Sequence, residues 1–301
     1  MHSVYKIVFV FSVILTLAAV VATVVFGLNF GVDFRGGSIL ELEFSGNRPA
    51  TVEIYPVLKD LFPDKDISLS EVGDRGVMLR TGELQESQHQ AMLNALRSGF
   101  SRTELTEKRF DSVGPIIGKE LESKSITALI LTLLAIIIYI AFVFRKMSVV
   151  LSSWAMGVAA IAALFHDVVI PVGVFSLLGH YFNVEIGAVF VAAALTVLGY
   201  SVSDTVVIFD RVRENVIRNR SKENFANVVH KSVMQTLTRS LNTTFTTLLP
   251  LIAIFIFGGE SLRYFALALI IGIFLGAYSS IFIASPLLVW WSEWTARDRR
   301  K

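Results

Sequence analysis

The feature that most constrains this chain is a recurring apolar run long enough to cross a bilayer. The first, Tyr5–Leu28, reads YKIVFVFSVILTLAAVVATVVFGL. Others cover about 126–144, 149–178, 186–209, 237–257 and 264–290. A hydrocarbon core of ~30 Å takes about 20 apolar residues as a helix, and a helix leaves no backbone polar group unsatisfied in lipid. The chain has 301 residues, 53% of them hydrophobic, and a mean hydropathy of +0.63. It therefore reads as an α-helical membrane protein with six transmembrane helices. The first run is too long for the apolar part of a secretory signal and no A-x-A site follows it, so it reads as a retained helix. The third contains Pro171. It reads as one tilted or kinked helix, because FHDVVIPVG is too short to turn back. Trp290, Trp291 and Trp294 suit an interfacial belt.

Basic residues cluster on one side of these spans: Lys6, Arg145, Lys146, Arg211, Arg213, Arg218, Arg220, Lys222, Lys231, Arg297, Arg299, Arg300 and Lys301. The loops GHYFNVE and GGESLR on the other side carry only Arg263. The positive-inside rule then puts both termini in the cytoplasm. The polar segment 29–124 falls on the far, extracytoplasmic side. SILELEFSG alternates with period two, and DISLSEV and GVMLRT read as strands joined by the turn GDRG. ATVEIYPVLKDLF and ESQHQAMLNALRSGF read as helices, the first kinked or interrupted by Pro56, and ELTEKRFDSVG as a last strand. The order β-α-β-β-α-β predicts a ferredoxin-like α+β domain. The expected organisation is helix one over 1–28, this domain over 29–124, a five-helix remainder over 125–296 with a basic cytoplasmic loop at 211–235, and a basic tail at 297–301. Val212, Val216, Phe225, Val228 and Val229 in that loop suit either a membrane-surface stretch or a topology anchor.

The net charge of +2 points to no nucleic-acid partner, and the absence of cysteine excludes disulfides and thiolate metal or nucleophile sites. No H-E-x-x-H and no G-x-x-x-x-G-K-[ST] is present, so the chain carries no recognisable catalytic, metal or nucleotide motif and no cofactor is expected. What stands out is GYSVSDTVVIFDRVREN at 199–215, which sets Asp204 inside an apolar run. An Asp there costs about 2.5–3.5 kcal/mol at a helix centre, and such residues mark ion and proton paths. Asp204 lies ~9 Å from the middle of its span near Leu198, and Arg239 ~12 Å from the middle of the next span near Thr247. The two spans form an antiparallel hairpin, so acid and base sit at similar depth. They read as a fixed salt bridge or as a proton-switched pair. Ser201, Ser203 and Thr205 near the acid, and Asn242, Thr243, Thr244, Thr246 and Thr247 after the base, would line a water file or back-bond to their own helices. His166 and Asp167 in span three form a second polar spot, either a proton relay or a packing contact. Two membrane acids also raise aspartyl proteolysis, but the surroundings expected of presenilin-type proteases are missing. GVDFRGG at 31–37, with Gly31, Asp33, Phe34, Gly36 and Gly37, suggests a turn with positive φ. Gly258 and Gly259 suggest a helix C-cap.

Taken in order, GVDFRGG, LFHDVVI, GYSVSDTVVIFDRVREN, TLTRSLNTTFTTL and FGG resemble the SecF family, part of the SecD/SecF group of the resistance-nodulation-division superfamily. The resemblance covers nearly the whole chain. One position departs: Ser203 stands where the family more often has Asn. The resemblance implies a subunit of the bacterial cytoplasmic (inner) membrane that uses the proton gradient, with SecD, to promote preprotein export on the outer side. Implied partners are SecD, the SecYEG translocon, YajC and YidC, the unfolded preprotein and membrane lipid. It places the relay acid on Asp204 and the intramembrane arginine on Arg239. The alternatives are a passive translocon assembly factor and a proton-driven small-molecule efflux subunit.

Overall fold

The structure is a computed structural model that describes residues 3–101, 103–144, 153–219 and 223–298. Arg145, Lys146, Arg220, Lys222, Arg299, Arg300 and Lys301, part of the expected basic side, lie outside the described residues. In chain order the elements are α1 (Ser3–Phe26), α2 (Val32–Arg35), β1 (Gly37–Phe44), α3 (Thr51–Leu61), β2 (Ile67–Val72), β3 (Gly76–Thr81), α4 (Glu86–Gly99), β4 (Leu105–Val113), α5 (Pro115–Val143), α6 (Ser153–Phe182), α7 (Ala188–Asn219), α8 (Phe225–Phe257), α9 (Glu260–Ser279), a π-helical turn (Ser280–Ala284) and α10 (Ser285–Asp298). Two units separate: residues 30–126, and residues 1–29 with 127–301. Among the described residues 6 helical stretches are long and apolar enough to cross a membrane.

The smaller unit is a four-stranded antiparallel sheet in the order β2-β3-β1-β4. Alternation on β1 sends Leu40, Leu42 and Phe44 to one face, where they meet Ile54 and Leu58 of α3 and Met92, Leu93 and Leu96 of α4. Pro56 lies within the unbroken helix α3, whose buried face runs Ile54–Leu58 across it. Of the kink or interruption expected there, the interruption does not occur: the helix continues through Pro56, with Ile54 and Leu58 buried on either side of it to offset the lost ladder bond. A register shift between Glu41 and Leu42 lets β4 turn Glu107 and Phe110 toward α4, where His89 stacks on Phe110 at 3.8 Å.

In the helical unit small residues set the contacts, as is usual where lipid supplies no hydrophobic drive between helices. Gly272 and Gly276 of α9, four apart, pack on Val197 and Ser201 of α7, also four apart. A Cβ on Gly276 would stand 3.1 Å from the Ser201 Cα. Gly173 of α6 packs likewise on Ala19 of α1. Gly27 ends α1 at φ 71°, and Ser176 of α6 donates to the carbonyls of Ala22 and Gly27 at 3.0 and 2.6 Å. The third apolar segment is a single helix, α6, with Pro171 inside it.

The basic loop expected at 211–235 is largely helix. α7 continues to Asn219 and α8 begins at Phe225. Ion pairs at helical spacing carry α7 onward: Arg213–Asp210 at 2.9 Å, Arg211–Glu214 at 2.6 Å and Arg218–Glu214 at 2.7 Å. Val212, Val228 and Val229 are buried, with Val216 and Phe225 packed beside the same core, so they serve the bundle rather than lie along a membrane surface. Apolar windows end where charge begins, but a helix does not have to.

Candidate functional site

Asp204 lies half-buried on α7. Its Oδ2 accepts a hydrogen bond from Oγ of Ser240 on α8. Ser240 is 2% exposed. Arg239, the preceding residue, is exposed, and among the described residues no ion pair joins it to Asp204. Asp204 therefore meets α8 at the residue next to Arg239, and serine occupies the carboxylate. Helical geometry accounts for this: neighbouring positions differ by about 100° around the axis. With Ser240 turned toward α7, Arg239 turns out, though its charge still acts on Asp204.

Asp167 on α6 is fully buried. Its Oδ1 meets Nδ1 of His166 at 2.8 Å, and its Oδ2 accepts from Ser201 of α7 and Ser279 of α9, each at 2.6 Å. Nε2 of His166 is buried and, among the described residues, has no hydrogen-bond partner. The imidazole stacks on Tyr278 at 5.9 Å, and the Tyr278 hydroxyl lies 2.8 Å from Oγ of Ser12 on α1. One turn along α7 from Ser201, Thr205 pairs with Ser280 at 2.8 Å. Ser280 opens the π-helical turn, and Ser285 donates back to its carbonyl at 2.8 Å. Such turns recur at functional sites.

The hydroxyls expected around Asp204 are thus divided by the helix period. Ser201 and Thr205, four apart, face α6 and α9. Asp204 faces α8, and Ser203 is exposed. On α8, Thr243, Thr246 and Thr247 donate to carbonyls of their own helix, Asn242 is exposed, and Thr244 receives the Tyr200 hydroxyl at 3.4 Å. Arg239, Asn242, Thr243 and Thr246 form one exposed polar stripe at i, i+3, i+4 and i+7. Ser240, Ser279, Ser280 and Tyr278 escaped the reading of the sequence. The serines of AYSSIFIAS, inside an apolar run, were the available signal for the last three.

GVDFRGG forms a tight corner. Phe34 is buried, Val32–Arg35 make one helical turn after Gly31, and Gly36 and Gly37 take φ of 78° and 130°. A Cβ would stand 2.8 Å from Pro115 Cα at Gly36 and 2.8 Å from the Thr81 carbonyl at Gly37, so conformation and space both require glycine. Asp33 sits in the first turn of α2. Gly258 caps the end of α8 through an extended backbone, φ −72° and ψ 156°, rather than the left-handed form, and Gly259 caps the start of α9.

The family model described as protein export membrane protein SecD/SecF, C-terminal, matches residues 92–294, and the SecD/SecF GG motif matches 21–47. The chain belongs to the SecD/SecF family. It is 41% identical to the protein translocase subunit SecF of Thermobaculum terrenum, over 95% of this chain and 91% of that one. It is 41% identical to the SecF of a Synechocystis species, over 88% and 83%. The SecDF of Thermus thermophilus, a longer protein, is 36% identical over 97% of this chain and 38% of its own length. The crystal structure of SecDF from that organism, described as a translocon-associated membrane protein, superposes with a TM-score of 0.80 at 34% identity, over 96% of this chain and 38% of that one. The GG motif falls on the Gly36–Gly37 corner.

Proposed function

We propose that this chain is an accessory, non-enzymatic subunit of the bacterial Sec protein-export machinery that uses the proton gradient, together with SecD, to promote preprotein translocation. The observation that carries the reading is Asp204, a carboxylate within a membrane-length helix, held by one serine hydroxyl with an exposed Arg239 next to that serine. Ionisable groups at such depth mark proton paths. Asp204 and Arg239 are its relay pair, with His166 and Asp167 as a second proton-bearing spot. No cofactor is needed, the gradient being the energy source.

SecD is the first partner. Fused SecDF relatives support it, and so does the exposed stripe of Arg239, Asn242, Thr243 and Thr246. A polar face at this depth is unfavourable against lipid and suits another protein's helices. SecYEG and the unfolded preprotein follow from the same reading. The strand order and helix placement of residues 30–126 support a ferredoxin-like unit. We place it on the extracytoplasmic side of the inner membrane, with both termini cytoplasmic, from the distribution of Lys and Arg.

Asp204→Asn tests the relay. Asn is nearly isosteric and carries no titratable proton. In vesicles with a proton gradient the variant should insert at normal abundance and lose export stimulation. Full activity would instead favour a passive assembly factor, a role to which Asp167, with both carboxylate oxygens hydrogen-bonded, is suited.

A further inference from the structure

Arg239 and Ser240 offer Asp204 two different chemistries from consecutive positions of α8. A hydroxyl donates and accepts, so it can partner a carboxylic acid or a carboxylate. A guanidinium has only donors and partners only the carboxylate. Nearby hydroxyls of α8 turn to their own helix: Thr236 donates to the Ser232 carbonyl at 3.1 Å and Thr243 to those of Arg239 and Ser240 at 3.0 Å. Ser240 instead reaches across to α7. The other ionisable groups of this layer are His166 and Asp167 on α6, Tyr200 on α7 and Tyr278 on α9. Tyr200 donates to Thr244 at 3.4 Å, and the rest meet one another or Ser12, Ser201 and Ser279; among the described residues none bonds Asp204.

Building on the relay reading above, we propose that Ser240 is the positioning residue of the relay: it holds Asp204 on the inner face of the α7–α8 contact while the acid bears its proton, and Arg239 takes the carboxylate once the proton has left. Deprotonation breaks the carboxyl O–H bond, leaves its electron pair on the carboxylate and passes the proton to water. Reprotonation by a hydronium ion from the opposite side releases water and returns the acid to Ser240. About 100° of helix surface separates the two partners, so α8 can stay in place while a change of rotamer in the long Arg239 side chain completes the exchange.

The test uses the full chain with its SecD partner in lipid vesicles. Infrared difference spectra report the protonated carboxyl of Asp204, assigned by its loss in Asp204→Asn. In Ser240→Ala that carbonyl loses its donor, so its stretching band should move to higher wavenumber. Export stimulation should fall about tenfold, the scale of one lost hydrogen bond. Ser240→Thr should restore both, and Ser240→Cys, a weaker donor of similar size, should fall between. A band that stays in place in Ser240→Ala and Ser240→Cys would overturn the assignment, as would a Ser240→Thr variant no better than Ala. The two readings fail differently. If Asp204→Asn exports normally, the relay itself falls. If Asp204→Asn is inactive while Ser240→Ala behaves as the parent, only the role of Ser240 falls.

Discussion

Two aspartates in one helical layer have opposite surroundings. Asp167 is fully buried and receives donors from α6, α7 and α9, whereas Asp204 is half-buried and is held by Ser240 alone among the hydrogen bonds of the described residues. Removing the first carboxylate strands the hydroxyl of Ser201 and Nδ1 of His166, while Ser279 falls back on the Gly276 carbonyl at 3.2 Å. Each stranded buried group costs about 1–3 kcal/mol. Asp167→Ala should therefore lower the thermal midpoint in detergent clearly, by the equivalent of about 2–3 kcal/mol after partial relaxation. Asp204→Asn keeps an acceptor for Ser240 and should cost no more than about 0.5 kcal/mol. The reverse ranking in parallel melts would contradict this division between a structural and a working acid. A permanent Asp204–Arg239 bridge would behave differently again: each single removal would strand a charge and the double variant would recover stability. With serine on the acid, Arg239→Met should lose export, and adding Asp204→Asn should restore none.

At the scale of elements, the contact that assembles the Asp167 cluster is glycine against helix. Gly276 of α9 lies directly over Ser201 of α7, where a Cβ would come within 3.1 Å of both the Cα and the Cβ of Ser201. Gly276→Val should push α7 from α9, part Ser201 and Ser279 from Asp167, and lower both thermal midpoint and export. Gly199, on α7 in the same layer, faces open space, and a methyl group there would meet nothing within 4 Å. Gly199→Ala should be neutral, or slightly stabilising through the helix propensity of alanine. A matched pair of melting curves separates the two. Equal losses would mean that glycine's flexibility, not its size, matters in this layer.

At the scale of the molecule, residues 30–126 carry their own core of Leu40, Leu42, Phe44, Ile54, Leu58, Met92 and Leu96, and no cysteine is involved. A fragment from Ser38 to Val113 should melt cooperatively by circular dichroism, with the modest stability of a small domain. A disordered fragment would refute its autonomy. Its acid sensitivity follows from two carboxylates. The hydrogen bond and charge of Lys108 hold Glu43 below its ordinary value, and hydrogen bonds from Gln90, then His89, do the same for Glu86. A depressed folded pKa means that the unfolded chain binds the proton more readily. The stabilisation is therefore complete above the ordinary value near 4.5 and is lost as pH falls from there through the lower folded values. Both groups are open to solvent, so the effect should be small and should shrink with added salt. Melts from pH 6 down to pH 3 should show the fragment weakening only in that acid window, and Lys108→Met should blunt the loss.

The spans, the strand and helix order of residues 30–126, the corner at Gly36–Gly37 and the antiparallel hairpin that carries Asp204 and Arg239 were legible along the chain. Each of these is a local property: apolar length against bilayer thickness, period two or 3.6, glycine where φ is positive. Only the tertiary structure decided which hydroxyl meets which acid. Ser201 and Asp204 are three apart and read as neighbours, yet they face different helices, and Ser201 serves Asp167. Asp167 draws its partners from positions 34 and 112 residues away, separations at which no periodicity in the chain can be read. The choice between Arg239 and Ser240 turns on the rotation of α8 about its axis, and packing against α7 and α9 sets that rotation. The charged stretch after Phe209 continues as helix for a similar reason, because ion pairs one turn apart and valines buried in the bundle hold it beyond the apolar run.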